Sequence, residues 1–176
     1  MSVIFLAGVH GVGKGFLGTP VANSMGITHL TASQLIREEK GQATWGNDKR
    51  TSDLDDNQLA LIRAVAHRRL THPGILLDGH FVLRNAHGVL TPLATTVFKE
   101  LHLTGVILLT EGAKIIASRL AMRDKGTPDV QAISELAEAE LAHAQVVCNE
   151  LELPLAVIHA PTLANLTDAV TWLLKS

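Results

Sequence analysis

Three glycines and a lysine follow an apolar run at residues 3–7. In the stretch GVHGVGKGF, Gly8, Gly11, Gly13 and Lys14 precede a helical pattern. Glycines at such spacings let the backbone fold so that its N–H groups surround an anion, and the helix N-terminus adds partial positive charge. A lysine on the first helical turn reaches the outer phosphates of a nucleoside triphosphate. We therefore predict a cradle for nucleotide phosphates, formed by Gly8, His10, Gly11, Val12, Gly13, Lys14, Gly15 and Phe16.

Gly15 bears on how this loop would hold a metal ion. In the pattern G-x-x-x-x-G-K-[ST], the residue after the lysine binds magnesium through a hydroxyl, and Gly15 has none. A second pattern, G-x-G-x-x-G, also fits residues 13–18. However, it begins too far past the strand, and no acidic residue ends the next predicted strand, as a dinucleotide site requires. We therefore favour the phosphate cradle over a dinucleotide site.

The order Gly13-Lys14-Gly15 resembles adenylate kinases and related nucleoside-monophosphate kinases, whose loop reads G-x-P-G-x-G-K-G-T. A glycine after the lysine is normal in that family. The resemblance implies ATP as the phosphoryl donor and Mg²⁺ held largely through water. His10 replaces the family's proline. Phe16 replaces its threonine, which removes a hydroxyl near the phosphates.

A second match follows the second predicted strand. The stretch LTASQLIR, residues 30–37, resembles the family's I-S-T-G-D-M-L-R, with Thr31 and Arg37 in register. In the family this arginine grips the phosphate of the acceptor, and a guanidinium group gives two parallel charge-assisted bonds to a phosphate. The resemblance thus implies that Thr31 and Arg37 bind the acceptor. The alternative is an exposed helix arginine.

The stretch ILLDGH, residues 75–80, resembles the family's L-D-G-F-P-R. Asp78 matches the acid that orients the water shell of Mg²⁺, although an Asp-Gly turn at a strand end is also common. His80 replaces the phenylalanine, and the next two residues replace the proline and a second acceptor-gripping arginine. Arg84 comes two residues late. We predict that His80 and Arg84 bind the acceptor, with a structural role as the alternative for His80. The acceptor is not fixed as AMP, and D-G-H-F also resembles a group of small adenylate-kinase-like ATP-binding proteins.

A third match lies in SRLAMRD, which resembles the family's D-R-x-x-x-R at the start of the lid. Arg119 and Arg123 are one helical turn apart on one face. The resemblance implies that both approach the phosphates, that Arg119 also packs near the donor nucleotide, and that a short lid spans about 119–130. It further implies that the loop around Pro161 supports the donor's base. Two solvated arginines are the alternative.

The rest of the chain predicts one α/β domain over residues 1–176. Continuous apolar runs suit a parallel sheet that is covered on both faces. Strands are expected at 3–7, 27–30, 75–78, 106–109 and 155–159, and helices at 14–24, 31–39, 54–70, 91–100, 113–124, 128–151 and 163–175. We predict a P-loop three-layer sandwich, a five-stranded parallel sheet in the order 2-3-1-4-5 flanked by helices. The acceptor-binding module is expected at about 31–70.

Composition excludes several function classes. The net charge is −2, no basic run is present and aromatic residues make up 3% of the chain, which argues against nucleic-acid binding. No apolar stretch reaches the length of a membrane span, and no leader peptide is expected. The single cysteine, Cys148, rules out a disulfide within the chain. We expect a cytoplasmic protein without membrane partners, a monomer or small homo-oligomer, with Cys148 as a core residue.

These residues predict a phosphotransferase that moves the γ-phosphoryl group of ATP to a nucleotide or related small acceptor. Lys14, Asp78, Arg119 and Arg123 are the expected catalytic residues, with Mg²⁺ held by Asp78 through water. Residues 40–53 and 124–128 are expected to close over the site. Lys49, Arg50, Asp53 and Asn57 are candidates for its acceptor pocket, and the alternative is that Ser52 or Asp53 caps the helix that follows. Two alternatives remain: a nucleotide-binding switch that does not turn over, and a kinase for a small metabolite.

Overall fold

The computed structural model describes residues 1–41, 52–85 and 87–175, with backbone only for 52–54. The strands are β1 (Ser2–Ala7), β2 (Thr28–Thr31), β3 (Gly74–Asp78), β4 (Val82–Arg84), β5 (Leu90–Pro92), β6 (Gly105–Thr110) and β7 (Leu155–His159). The helices are α1 (Lys14–Ser24), α2 (Ala32–Glu39), α3 (Ser52–Arg69), α4 (Thr95–Glu100), α5 (Ala113–Asp124), α6 (Val130–Glu150) and α7 (Leu163–Lys175). The predicted stretch 40–53 lies mostly outside the described residues, as do Lys49 and Arg50.

Five strands form one parallel sheet in the order β2-β3-β1-β6-β7. Counted along the chain within this sheet, the order is 2-3-1-4-5, so the predicted architecture is confirmed. β1 lies at the centre, between β3 and β6. β1 and β3 are parallel neighbours in the sheet, although β2 lies between them along the chain. The loops that follow β1 and β3 therefore lie side by side at the carboxyl edge of the sheet.

The sheet is buried on both faces because its strands are apolar throughout. Val3, Phe5 and Ala7 point into a core under α3, α4 and α6, whereas Ile4 and Leu6 point into a core under α1, α5 and α7. In the first core, Phe5 meets Phe81 edge to face at a centroid distance of 5.1 Å, and Phe81 stacks on Phe98 at 4.6 Å. These rings fix the segment that follows β3.

The predicted helix at 91–100 is wrong at its start. Residues 90–92 form β5, which pairs antiparallel with β4 in a hairpin, and Val82 lies opposite Pro92. Leu93 then donates its N–H to the carbonyl of Phe81 at 2.9 Å, and the helix begins only at Thr95. Pro92 resembles a first-turn proline in the sequence, but the distant pairing with β4 decides its conformation.

Local capping explains two other helix starts. The Thr31 side chain accepts a hydrogen bond from the Gln34 N–H at 3.3 Å and caps α2. Asp129 accepts hydrogen bonds from the N–H groups of the second and third residues of α6. Among the described helices, none is long and apolar enough to cross a bilayer.

Candidate active site

The loop between β1 and α1 has the backbone that its glycines predict. Gly8, Gly11 and Gly13 have φ angles of +138°, +83° and +108°, in the region that favours glycine. A Cβ on Gly8 would lie 2.6 Å from the carbonyl oxygen of Leu109. The φ angles disfavour side chains at all three positions, and close neighbours also exclude them at Gly8 and Gly11. The glycines therefore let the loop turn its backbone N–H groups inward around an anion.

Lys14 is the first residue of α1 and is 7% exposed. Its Nζ donates to the carbonyl oxygen of Gly8 and, at 3.5 Å, to that of Val9. It also lies 3.7 Å from Asp78 Oδ1. Burial lowers the pKa of Lys14, and the carboxylates of Asp78 and Glu140 oppose that shift. The ammonium group is thus held inside the loop, where phosphate oxygens would replace the carbonyls as its partners.

Asp78 ends β3 at the carboxyl edge of the sheet, beside Lys14. Its second oxygen, Oδ2, lies 3.8 Å from His29 Nε2 on β2. The other nitrogen of His29 is hydrogen-bonded to Thr19 Oγ1 at 3.0 Å. His29 Nε2 is buried and has no hydrogen-bond partner among the described residues. His29 on β2 therefore lies beside the carboxylate of Asp78 on β3. The sequence did not suggest this position for His29.

His10 and His80 face each other across the cradle. Their ring centroids are 4.4 Å apart, and both line the same cavity. His10 lies at the mouth of the cavity, where the residue is partly exposed and partly covered by its neighbours. This partial burial lowers its pKa to about 4, together with the neighbouring groups His80, Lys14 and Arg123 and against the opposing charge of Asp78. At neutral pH the His10 imidazole is therefore uncharged.

One cavity of about 680 Å³ connects the cradle with the space under α2, α3 and the hairpin. At the cradle end it is lined by His10, Gly11, Gly13, Lys14, Gly15, Phe16, Asp78, His80 and Arg123. At the far end, polar side chains stand on an apolar background. The polar ones include Thr31, Ser33, Asn57, Gln58, Arg84 and Thr91, and the apolar ones include Ile36, Leu61, Leu83, Leu93 and Val97. Residues predicted for the donor and residues predicted for the acceptor thus line one cavity.

The two arginines of α5 take different positions. Arg119 donates to the carbonyls of Gly11 and Val12, both at 3.4 Å, and to Glu111 at 3.3 Å, so it braces the outside of the loop. Arg123 lines the cavity and is paired with the adjacent Asp124 at 2.7 Å. Of the two, Arg123 is the one that a phosphate in the cavity would meet.

The other predicted residues divide between the cavity and its surroundings. Thr31 lines the cavity beside Ser33, whereas Arg37 is exposed and lies outside the residues that line it. Arg84 lines the cavity, but its guanidinium group is engaged with the carbonyls of Gly88 and Ala132, both at 2.9 Å. Pro161 follows β7 and also lies outside the cavity lining. Val12 is buried beneath the loop, and the Phe16 side chain is 82% exposed at its rim.

Glu140 is the polar residue at the site that sequence reasoning missed. It is 1% exposed on α6, and its oxygens accept hydrogen bonds from the N–H of Phe81 at 2.9 Å and from the N–H of Val82 at 3.4 Å. His80 Nδ1 lies 3.1 Å from Glu140 Oε1. A signal was present: Glu140 stands on the stripe of α6 that buries Ala144 and Val147. An acid on an apolar stripe needs specific partners.

The site fits ATP and hydrated Mg²⁺ by the chemistry of its donors. The loop has three glycines at positive φ, which let its backbone fold back, and the Lys14 side chain is buried beside it. Asp78 supplies one carboxylate that is 15% exposed, and Gly15 supplies no hydroxyl. Among the described residues, no group of three or more histidine, cysteine or acidic side chains is arranged to hold a metal directly. A magnesium ion bound here would keep most of its water, as this ion prefers.

Comparison with known proteins agrees with this geometry. The family described as "AAA domain" matches residues 7–137, which include the cradle, Asp78 and both arginines of α5. No curated protein matches the chain.

Solved structures show the same fold at low sequence identity. A shikimate kinase from Bacteroides thetaiotaomicron superposes with a TM-score of 0.62 at 11% identity, covering 99% of each chain. A gluconokinase from Sinorhizobium meliloti gives 0.57 at 15%, covering 99% of this chain and 92% of that one. A sugar kinase from Janibacter gives 0.54 at 16%, covering 99% and 95%. The chain therefore shares the fold of these solved kinase structures.

Proposed function

The chain belongs to the AAA domain family, and from this premise we propose that it transfers the γ-phosphoryl group of ATP to a hydroxyl group of a small molecule. One observation carries the proposal: Lys14, Asp78 and His80 line a cavity that continues into a chamber under α2, α3 and the hairpin. A donor in the cradle and an acceptor in the chamber would meet within a single space. The solved structures named above are a shikimate kinase, a gluconokinase and a sugar kinase, which supports the same class.

The roles follow from the positions of the side chains. Lys14 and the loop N–H groups bind the donor phosphates, and Arg123 meets the charge that develops on the moving phosphoryl group. Arg119 holds the loop through its carbonyls. Asp78 would hold Mg²⁺ through water, and a bound ion would supply positive charge beside the phosphate oxygens. Phosphoryl transfer demands mainly positioning and charge stabilisation of this kind.

We propose an uncharged, hydroxyl-bearing acceptor in preference to a nucleoside monophosphate. Arg37 lies outside the cavity lining, and Arg84 is engaged with two carbonyls. The chamber offers neutral hydrogen-bonding groups from Ser33, Asn57 and Gln58. Such groups suit the hydroxyls of a neutral metabolite better than a phosphate dianion. The acceptor-binding module at about 31–70 and the short lid at about 119–130 form part of this proposal.

A nucleotide-binding switch that does not turn over is the second candidate. It is favoured by Phe16, whose exposed ring stands where the kinase family has a threonine hydroxyl. It is also favoured by Lys14, which donates to the carbonyls of its own loop and must be released before it can bind phosphate.

The experiment is ATP consumption with Mg²⁺ across a panel of acceptors, with Lys14→Ala as the blank. The panel contains neutral sugars and polyols, sugar acids and nucleoside monophosphates. The proposal predicts turnover with a neutral hydroxyl compound that disappears in the blank. ATP binding without turnover for any acceptor would contradict it and favour the switch. Turnover with monophosphates alone would overturn the acceptor class.

A further inference from the structure

Glu140 joins two parts of the site that are far apart in sequence. It belongs to α6, and its three hydrogen-bond partners lie in the turn after β3, about sixty residues earlier. The N–H groups of Phe81 and Val82 can only donate, so both Glu140 oxygens act as acceptors. The carboxylate is 1% exposed. A buried carboxylate of this kind is costly unless its partners are well placed.

The third partner is a side chain that lines the cavity. His80 Nδ1 lies 3.1 Å from Glu140 Oε1, the oxygen that also faces Val82 N–H. Because a carboxylate oxygen can only accept, Nδ1 must carry the hydrogen of a neutral His80 ring. The other nitrogen, Nε2, then keeps a free lone pair. Among the described residues, no protein group hydrogen-bonds to Nε2.

We propose that Glu140 is a positioning residue, which holds His80 in the Nδ1–H tautomer so that Nε2 accepts a hydrogen bond from the hydroxyl of the acceptor. This inference rests on the proposed phosphotransferase function. The hydrogen bond would orient the hydroxyl so that a lone pair of its oxygen faces the γ-phosphorus held by the cradle. Positioning of this kind is a large part of phosphoryl-transfer catalysis.

A purely structural role for Glu140 would not require its contact with His80. Two backbone N–H groups could be satisfied by Glu140 without any contact to His80. The ring of His80 also packs against His10 at the mouth of the cradle, 4.4 Å between centroids. The ring is therefore contacted both by Glu140 and by His10, and these contacts restrict the direction in which Nε2 can accept a hydrogen bond.

The first test is the tautomer of His80, read from its ¹⁵N chemical shifts by NMR. The spectra are recorded at about pH 8, above the ordinary imidazole pKa of about 6.5, on the full chain without ligand. Wild type should show Nδ1–H. Glu140→Gln is nearly isosteric. Its amide oxygen should keep the hydrogen bond from the Phe81 N–H, the shorter of the two backbone bonds. The NH₂ group then faces His80 Nδ1 and donates to it, which favours the Nε2–H form. Glu138→Gln, an exposed substitution on the same helix, is the matched control and should not change the tautomer.

The second test separates positioning from folding. Glu140→Gln should lower kcat about 10- to 100-fold, as loss of a supporting hydrogen bond does, while KM for ATP changes less than about threefold. His80→Ala should lower kcat at least as much, and adding Glu140→Gln to it should cost little more. If Glu140→Gln lowers kcat by the same factor in wild type and in His80→Ala, the proposal is contradicted.

Three results decide the matter. An Nε2–H tautomer in wild type overturns the inference, even if Glu140→Gln fails to fold in a thermal melt. Acceptor-dependent turnover that Glu140→Gln leaves unchanged overturns it as well. If the tautomers are as predicted but no acceptor supports turnover in wild type, the proposed function is wrong. The proposed hydrogen bond from an acceptor hydroxyl to His80 is then also wrong, whereas the contact between Glu140 and His80 is still supported.

Discussion

Lys14 Nζ and Asp78 Oδ1 lie 3.7 Å apart at the carboxyl edge of the sheet. The lysine begins α1 and the aspartate ends β3, and β1 and β3 are neighbours in the sheet. Their approach brings the cation of the cradle to the carboxylate that would hold hydrated Mg²⁺. The pair therefore forms the centre of the candidate site. Three of the following predictions concern this site, and a fourth concerns the buried face of α6.

Lys14→Ala should abolish the stabilisation that ATP gives to the folded chain. A ligand at about 100 times its Kd stabilises the native state by about 2.7 kcal/mol, and the cradle without its ammonium group should lose at least 100-fold in affinity. The measurement is the shift of the thermal midpoint on adding ATP. Lys114→Ala, an exposed lysine near the start of α5, is the matched control and should keep the full shift. A full shift in Lys14→Ala would contradict the assignment of the cradle.

Gly11→Ala and Gly15→Ala should have opposite effects on stability without ligand. Gly11 has φ +83°, and an added Cβ would lie 3.0 Å from the Leu120 side chain. We expect this variant to lose about 1 kcal/mol or more and to bind ATP poorly. Gly15 lies in α1 with open space around its Cβ position, and alanine there should gain up to about 1 kcal/mol through helix propensity. Denaturant unfolding measures the free energy of unfolding of both variants. Equal losses of this free energy would contradict the described loop conformation.

His10 should titrate far below an ordinary histidine. In the folded chain its pKa is about 4, compared with 6.5 for the free group, so between these values the unfolded chain binds more protons at this position. Stability should therefore fall as pH drops from about 6.5 to about 4. NMR titration of the His10 ring measures the midpoint directly. His10→Gln should give a shallower fall in unfolding free energy over the same window, and an unchanged slope would argue against the desolvated ring.

Cys148 should react slowly with thiol reagents in the folded chain. It is buried on α6, and burial raises its pKa from 9.0 to about 11. The thiolate is the reactive form, so this shift alone slows labelling about 100-fold below pH 9 relative to the unfolded chain. Since the chain has one cysteine, the labelling rate in buffer and in denaturant can be compared without ambiguity. Similar rates in both would contradict the predicted core position.

The cradle and the sheet could be predicted because their signals are local. The glycines carry their φ requirements in the sequence, and the apolar runs of β1, β3 and β6 specify strands that are buried on both faces. Helices α1, α5 and α7 begin and end at the predicted residues. Cys148 is a core residue, as its place on a helical pattern indicated.

What escaped prediction depends on contacts between distant segments. The β4–β5 hairpin arises from pairing across an intervening turn, which overrides the helical interpretation of Pro92. Glu140 was hidden because its partners lie in the turn after β3. The motif put Arg37 in register with the family's arginine, but Ser33 and Ile36 are the residues of α2 that line the cavity. A motif specifies register along a helix, whereas packing decides which face meets the ligand.

Phosphoryl transfer to a neutral hydroxyl can be followed by ³¹P NMR of ATP, Mg²⁺ and the protein with each neutral acceptor in turn. We expect a new phosphomonoester signal that grows together with ADP and that is absent with Lys14→Ala. ATP that is bound but unchanged with every acceptor, or that yields inorganic phosphate alone, would contradict it.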